Sequence, residues 1–180
     1  MEHLELISLL TPEMEKLGYI KIDEYSFTLP MKGFIIMSNV VRREKPARFD
    51  IIFAIAFTQT ADPDAWKKDE CIDAIIESTW YQLLLNSGES AAYLDKLFCH
   101  DRYETTATDI KENLPAIIDL FKRKIISSFE KWNNAAWLIE NFEEEVYWKK
   151  LYLYKKVESC LQLIRQQIGL QILSGITIQE

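Results

Sequence analysis

The chain has little of what most motif-driven functions need: of 180 residues only 5 are glycine, 5 proline, 3 cysteine and 2 histidine. With so few glycines there is no Gly-x-Gly-x-x-Gly turn, no Gly-x-x-x-x-Gly-Lys phosphate loop and no Gly-x-Ser-x-Gly elbow, which argues against the common nucleotide and hydrolase sites. Cys71, Cys99 and Cys160 are odd in number and widely spaced, with no Cys-x-x-Cys pair. Reduced thiols fit this pattern better than a disulfide framework or a zinc site, and neither a metal nor a cofactor is expected. Long apolar runs are also missing. The longest, Ile51 to Phe57, is far short of the roughly 20 residues that cross a bilayer, and no charged start followed by an apolar stretch opens the chain. A cytoplasmic protein with no membrane partner is the expectation. Positive charge is in short supply too, 21 Lys and Arg against 28 Asp and Glu, for a net charge of −7. That balance argues against a nucleic-acid partner, which requires cations to displace condensed counterions.

What is present is the composition of a packed core, 48% apolar and 12% aromatic. At this length folding buries about 70% of the chain's surface without staples. Residues 1–180 read as a single domain, because no linker separates two compositions. Leu4, Leu6, Ile7, Leu9 and Leu10 begin a helical pattern that Gly18 stops, either as two short helices divided at Thr11-Pro12 or as one kinked helix. From Tyr19 the period becomes two, and Tyr19 to Ile22, Ser26 to Leu29, Gly33 to Val41 and Arg48 to Thr58 read as strands. The last places Phe49, Ile51, Phe53, Ile55 and Phe57 on one face and Asp50, Ile52, Ala54 and Ala56 on the other. It predicts a central strand whose alanine face receives a helix.

Asp62-Pro63 then reads as the start of a helix carrying Ile72, Ile75, Ile76, Trp80, Leu83 and Leu84, ended by Asn86-Ser87-Gly88. Further helices are expected over Ser90 to Phe98, from Thr108-Asp109 to Ile126 with a bend at Pro115, and over Asn134 to Phe142. Tyr147, Leu151, Tyr154, Val157, Leu161, Ile164 and Ile168 form a stripe averaging 3.5 residues. It predicts one last helix, a C-terminal extension over residues 143–168, that packs within the chain or pairs with a second copy as a homodimer. The tail Leu170 to Ile178 alternates like a short strand. The fold class is α+β: an antiparallel sheet of about four strands, roughly residues 19–58, packed with an N-terminal helix and several C-terminal helices.

Few residues invite chemistry. Cys99-His100-Asp101 joins a thiol, an imidazole and a carboxylate, but covalent neighbours diverge and rarely converge on one substrate. Asp50 stands out as a carboxylate on an otherwise apolar strand, either paired with an arginine such as Arg43 across the hairpin or lining a pocket between sheet and helices. Glu143-Glu144-Glu145 reads as an acidic lead-in to the last helix, suited to the positive end of its dipole. Arg42, Arg43, Lys45 and Arg48 cluster around the hairpin, and lysines alternate with aromatics from Tyr147 to Lys156. Such a run can stack bases, but here it reads as ordinary amphipathicity. Trp148 and Tyr152 flank the stripe as anchors for a protein contact.

Leu17-Gly18-Tyr19 after a first helix, the strand Phe49 to Phe57 and Ser128-Phe129-Glu130-Lys131-Trp132 before a later helix resemble, in order of elements, small bacterial α+β families of unknown function. Some of these are suspected of being immunity partners of toxins. The resemblance implies an architecture and a bias toward binding a protein over catalysis, and it carries no site residues. The leading expectation is a non-enzymatic protein-binding module. The alternatives are a small-molecule or enzymatic pocket using Asp50, His100 or Cys99, and a nucleic-acid accessory factor using the basic stretches.

Overall fold

Among the described residues six strands follow one another in space as they do in sequence. The structure, a computed structural model, describes residues 3–44, 47–57, 75–153 and 156–173. In it β1 (Ile20–Lys21), β2 (Ser26–Pro30), β3 (Ile35–Glu44), β4 (Ala47–Ala56), β5 (Ile75–Thr79) and β6 (Tyr152–Leu153) form one antiparallel sheet in the order β1-β2-β3-β4-β5-β6. The α+β class and the four strands between residues 19 and 58 are as the sequence predicts. Two later segments, β5 and β6, extend the sheet.

The register sorts side chains cleanly. Phe27 pairs with Ser38 and Ser38 with Phe53, so Phe27, Leu29, Ile36, Val40, Phe49, Ile51, Phe53, Ile55 and Phe57 share the face that meets the main core. The helices come onto this face. These are α1 (His3–Lys16), α2 (Trp80–Asn86), α3 (Ala91–Leu97), α4 (Ala107–Phe121), the three-residue α5 (Ser127–Phe129), α6 (Ala135–Trp148) and α7 (Val157–Leu173). Phe53 meets Phe121 and Phe129, Phe57 meets Trp132 and Phe142, and Trp80 stacks on Phe121 with ring centroids 3.5 Å apart. The aromatic contacts thus form on the phenylalanine side of β4, opposite the alanine side where a helix is expected. Ala54 and Ala56 are buried in a second, smaller cluster with Ile35 and Met37.

Thr28 lies on that second face, level with Met37 and Ala54. It is fully buried, and among the described residues its Oγ1 has no hydrogen-bond partner. An unsatisfied buried hydroxyl costs about 1–3 kcal/mol. Thr28→Val, which keeps the shape, is therefore expected to raise stability by about 1 kcal/mol in urea unfolding; a loss of stability would mean that this hydroxyl has a partner after all.

Several boundaries depart from expectation. Residues 75–79 are a strand, although Ile75, Ile76 and Trp80 fall at helical spacing; pairing of Ile75–Thr79 with Ile52–Ala56 overrides the period. The start of that expected helix at Asp62-Pro63 lies outside the described residues, as do Ile72 and Cys71. The N-terminal segment is one helix with Pro12 inside it. The stripe from Tyr147 to Ile168 is not one helix. α6 ends at Trp148, β6 intervenes, and α7 runs from Val157 through Gly169 to Leu173, so residues 170–173 are helical rather than strand. Ile164 of that stripe, and Cys160 beside it on α7, are buried in this chain's own core.

Candidate functional site

Two places bring chemistry-bearing residues together, and both depend on how a helix stops. α3 ends at Leu97, Phe98 caps it, and Cys99 takes φ 57°. The Cys99 N–H donates to Lys96 O, and the His100 N–H donates to Asp95 O at 2.7 Å. This is a Schellman reversal, with Cys99 in the left-handed position that usually holds glycine. Asn113 Nδ2 donates to Leu97 O at 3.0 Å and Lys96 O at 3.2 Å, and Thr105 Oγ1 donates to Cys99 O at 3.2 Å, so neighbouring elements hold the turn. Its consequence is to fold His100 back beside Asp95.

His100 then enters a notch at the sheet edge. β4 outruns β5, since pairing stops at Ile52↔Thr79 and leaves Arg48 to Ile51 without a partner on β5. His100 Nε2 lies 3.4 Å from Phe49 O and 3.6 Å from Asp50 Oδ1. The imidazole stacks on Tyr81 at 4.9 Å, and the Tyr81 hydroxyl donates to Asp95 Oδ1 at 2.8 Å. Beside this assembly lies a cavity of about 650 Å³ lined by Arg48, Asp50, Tyr81, Asp95 and His100 together with Val41 and Ile52. Burial pushes the His100 imidazole below its ordinary pKa; Asp50, the Phe49 carbonyl and Asp95 pull it up, and Arg48 pushes it down further. The ring is therefore neutral near pH 7. Burial also raises the Cys99 thiol, which leaves it unsuited to nucleophilic work.

Of the cysteine, histidine and aspartate run, only His100 lines this cavity, and the carboxylate beside it is Asp50, fifty residues away in sequence. Asp50 is buried, as its pattern implies; the side chain of Arg43 lies outside the described residues. Sequence reading missed Arg48, Tyr81 and Asp95 as a group, because no local signal joins a strand end to two helices.

The second place is the end of α6. Lys150 takes φ 50°, its N–H donates to Tyr147 O, and the Leu151 N–H donates to Val146 O. This is again a Schellman reversal, here with lysine in the glycine position and the buried Leu151 as its hydrophobic contact. Trp148 is left 71% exposed at the helix end, Tyr147 75% and Tyr152 on β6 64%. Glu140, Glu143 and Glu144 are exposed on the same side of α6. Glu145 is not part of that surface and does not lead into a helix. It is buried in the last turns of α6, where it accepts from Lys131 at 2.5 Å and Trp132 Nε1 at 2.9 Å and pairs with Lys149 at 3.5 Å. Arg42 stands exposed on β3, away from this cluster in sequence and strand position.

Among the described residues no group of three or more His, Cys, Asp or Glu is placed to hold a metal ion, and no helix is long and apolar enough to cross a membrane. The fold and these two sites define an α+β domain with a meander sheet, a polar cavity at the sheet edge and an aromatic-acidic corner. Comparison of the chain with protein families, with curated proteins and with solved structures finds no match.

Proposed function

We propose that this chain is a non-enzymatic protein-binding module whose partner carries a basic surface. The observation that carries the reading is the corner of α6 and β6, where Tyr147, Trp148 and Tyr152 stand exposed beside Glu140, Glu143 and Glu144. Large aromatics held in water at a helix end are anchors of the kind that dominate protein interfaces. A neighbouring groove of about 490 Å³, lined by Val146, Tyr147, Leu151 and Tyr152, offers the partner an apolar seat. The acidic face and the net charge of −7 would steer a basic partner to it and disfavour an acidic one. An immunity-like role, neutralising a basic toxin in the bacterial cytoplasm, fits that charge relation. A second reading, that of a ligand-binding protein, is favoured by the cavity over Arg48 and His100.

The test is affinity purification of the tagged protein from its host at low and moderate salt, alongside the double variant Trp148→Ala/Tyr152→Ala. One near-stoichiometric protein is expected with the wild type. The variant should bind it more weakly by about 2 kcal/mol or more, roughly thirtyfold, with an unchanged melting temperature because both side chains are exposed. Equal retention by the variant, or recovery of nucleic acid alone, would remove this reading.

A further inference from the structure

The cavity at the edge of β4 is lined by two opposite charges, Arg48 and Asp95, that have no ion-pair partner among the described residues. Among the described residues Arg48 Nε is buried without a hydrogen-bond partner, and no carboxylate stands within ion-pair distance of this guanidinium. Asp95, which also lines the cavity, accepts the Tyr81 hydroxyl but has no cationic partner among the described residues. Arg48 and Asp95 line the same cavity yet do not pair with each other. Leaving a partly buried guanidinium unpaired is costly, and a planar fork of donors is suited to a carboxylate. Val41 and Ile52, both only half-buried, line the same cavity and add apolar surface to it.

We propose that this cavity binds a small zwitterion, an α-amino acid with an apolar side chain, whose carboxylate is gripped by Arg48 and whose ammonium lies against Asp95. The arrangement discriminates on three counts. A carboxylate without an amine leaves Asp95 unmatched and faces a wall that also holds Asp50. An amine without a carboxylate leaves Arg48 unmatched. A polar side chain forfeits the seat on Val41 and Ile52. His100 supports this division, because in its neutral form it adds no positive charge beside the ammonium. The groups facing it are Asp50 and the Phe49 carbonyl from β4, Arg48 from the same strand, Asp95 from α3 and Tyr81 from α2. The cavity of about 650 Å³ accommodates the larger members of the class, such as leucine, phenylalanine or tryptophan. This site is independent of the aromatic corner and stands or falls separately.

Isothermal titration of the full chain with leucine, phenylalanine and tryptophan tests it, together with the matching amines that lack the carboxylate and the matching acids that lack the amine. At least one amino acid is expected to bind at millimolar concentration or better, with each one-legged analogue at least about tenfold weaker. Arg48→Gln should abolish the preference over the amine and leave the preference over the deaminated acid; Asp95→Asn should do the reverse. This crossed pattern is not produced by a general loss of structure. Should either variant fail to fold, the wild-type comparison among amino acid, amine and acid still decides. Absence of binding by all three amino acids, equal binding of the one-legged analogues, or variants that keep both preferences would overturn the proposal.

Discussion

Replacing Trp132 by alanine is expected to lower the unfolding free energy by about 4 kcal/mol, the middle of the range for truncating a buried aromatic. Trp132 is fully buried between sheet and helices. Its ring contacts Phe34, Phe57, Phe129 and Phe142 at centroid distances of 5.9, 6.2, 4.7 and 5.9 Å. It joins the residue before β3, the residue after β4, α5 and α6 at one point, so the cavity left by alanine opens among four segments that cannot all relax into it. The indole N–H donates to Glu145 Oε2 at 2.9 Å, and this bond would be lost as well. Trp132→Phe keeps most of the packing and is expected to cost about 1–2 kcal/mol, the hydrogen bond to a charged acceptor. Urea unfolding of both variants checks the pair; a loss under about 1 kcal/mol for the alanine variant would contradict the packing described.

Glu145→Ala is expected to cost about 3 kcal/mol, because one carboxylate serves three donors. Removing it leaves the Trp132 N–H unsatisfied in the core and strands Lys149, whose side chain is only 18% exposed and lies over the Phe129 ring. Lys131, which is half-exposed, returns to water at little cost. Burial raises the Glu145 pKa, but the hydrogen bonds from Lys131 and Trp132 and the charges of Lys149 and Lys131 outweigh it, so the carboxyl lies below its ordinary value. Lys149 also lies low, because burial and the nearby Lys131 outweigh what Glu145 returns to it. The shared carboxylate thus holds its own charge more firmly than it holds that of Lys149.

A folded pKa below the unfolded value means that the unfolded chain binds more protons in the acid range. The stabilisation is therefore complete above the ordinary carboxylate value of 4.5 and is lost as pH falls through the folded value. Glu145→Gln removes this contribution while leaving an acceptor for Trp132. The urea midpoint of the wild type should fall more steeply than that of the Gln variant between about pH 5 and about pH 3. Parallel curves would show that Glu145 is not held below its ordinary value.

Helix ends show how much could be read in advance. Four helices end in the same reversal, with the chain passing through a left-handed residue and the next N–H returning to a carbonyl five residues earlier. Where that residue is Gly18 or Gly88 the stop is legible, because glycine meets no Cβ penalty there. Where it is Cys99 or Lys150 nothing in the local sequence marks it. Lys150 carries a Cβ into a region that costs roughly 1 kcal/mol, and packing of Leu151 offsets it. An apolar stripe running straight through Tyr147 to Ile168 therefore reads as one helix where the chain makes a turn and a strand. Residues 75–79 fail for a related reason. Two adjacent isoleucines serve a helix face or a doubly buried strand equally well, and only the edge of β4 selects the strand.

By itself the sequence determined the α+β class, the antiparallel pairing of residues 19–58 and the burial of both faces of β4, because these follow from period, turn residues and apolar alternation within a dozen neighbouring positions. It also marked Asp50, Trp148 and Tyr152 as residues out of keeping with their surroundings. Only the tertiary structure decided what stands opposite them. His100 meets Asp50 because β4 outruns β5 and Cys99 turns the chain back. Glu145 leaves the acidic run for the core because Lys131, Trp132 and Lys149 converge there. Contacts between distant segments are fixed by strand register and by which helix ends reverse, and both are settled by packing free energies summed over the whole core, which no local stretch of sequence contains.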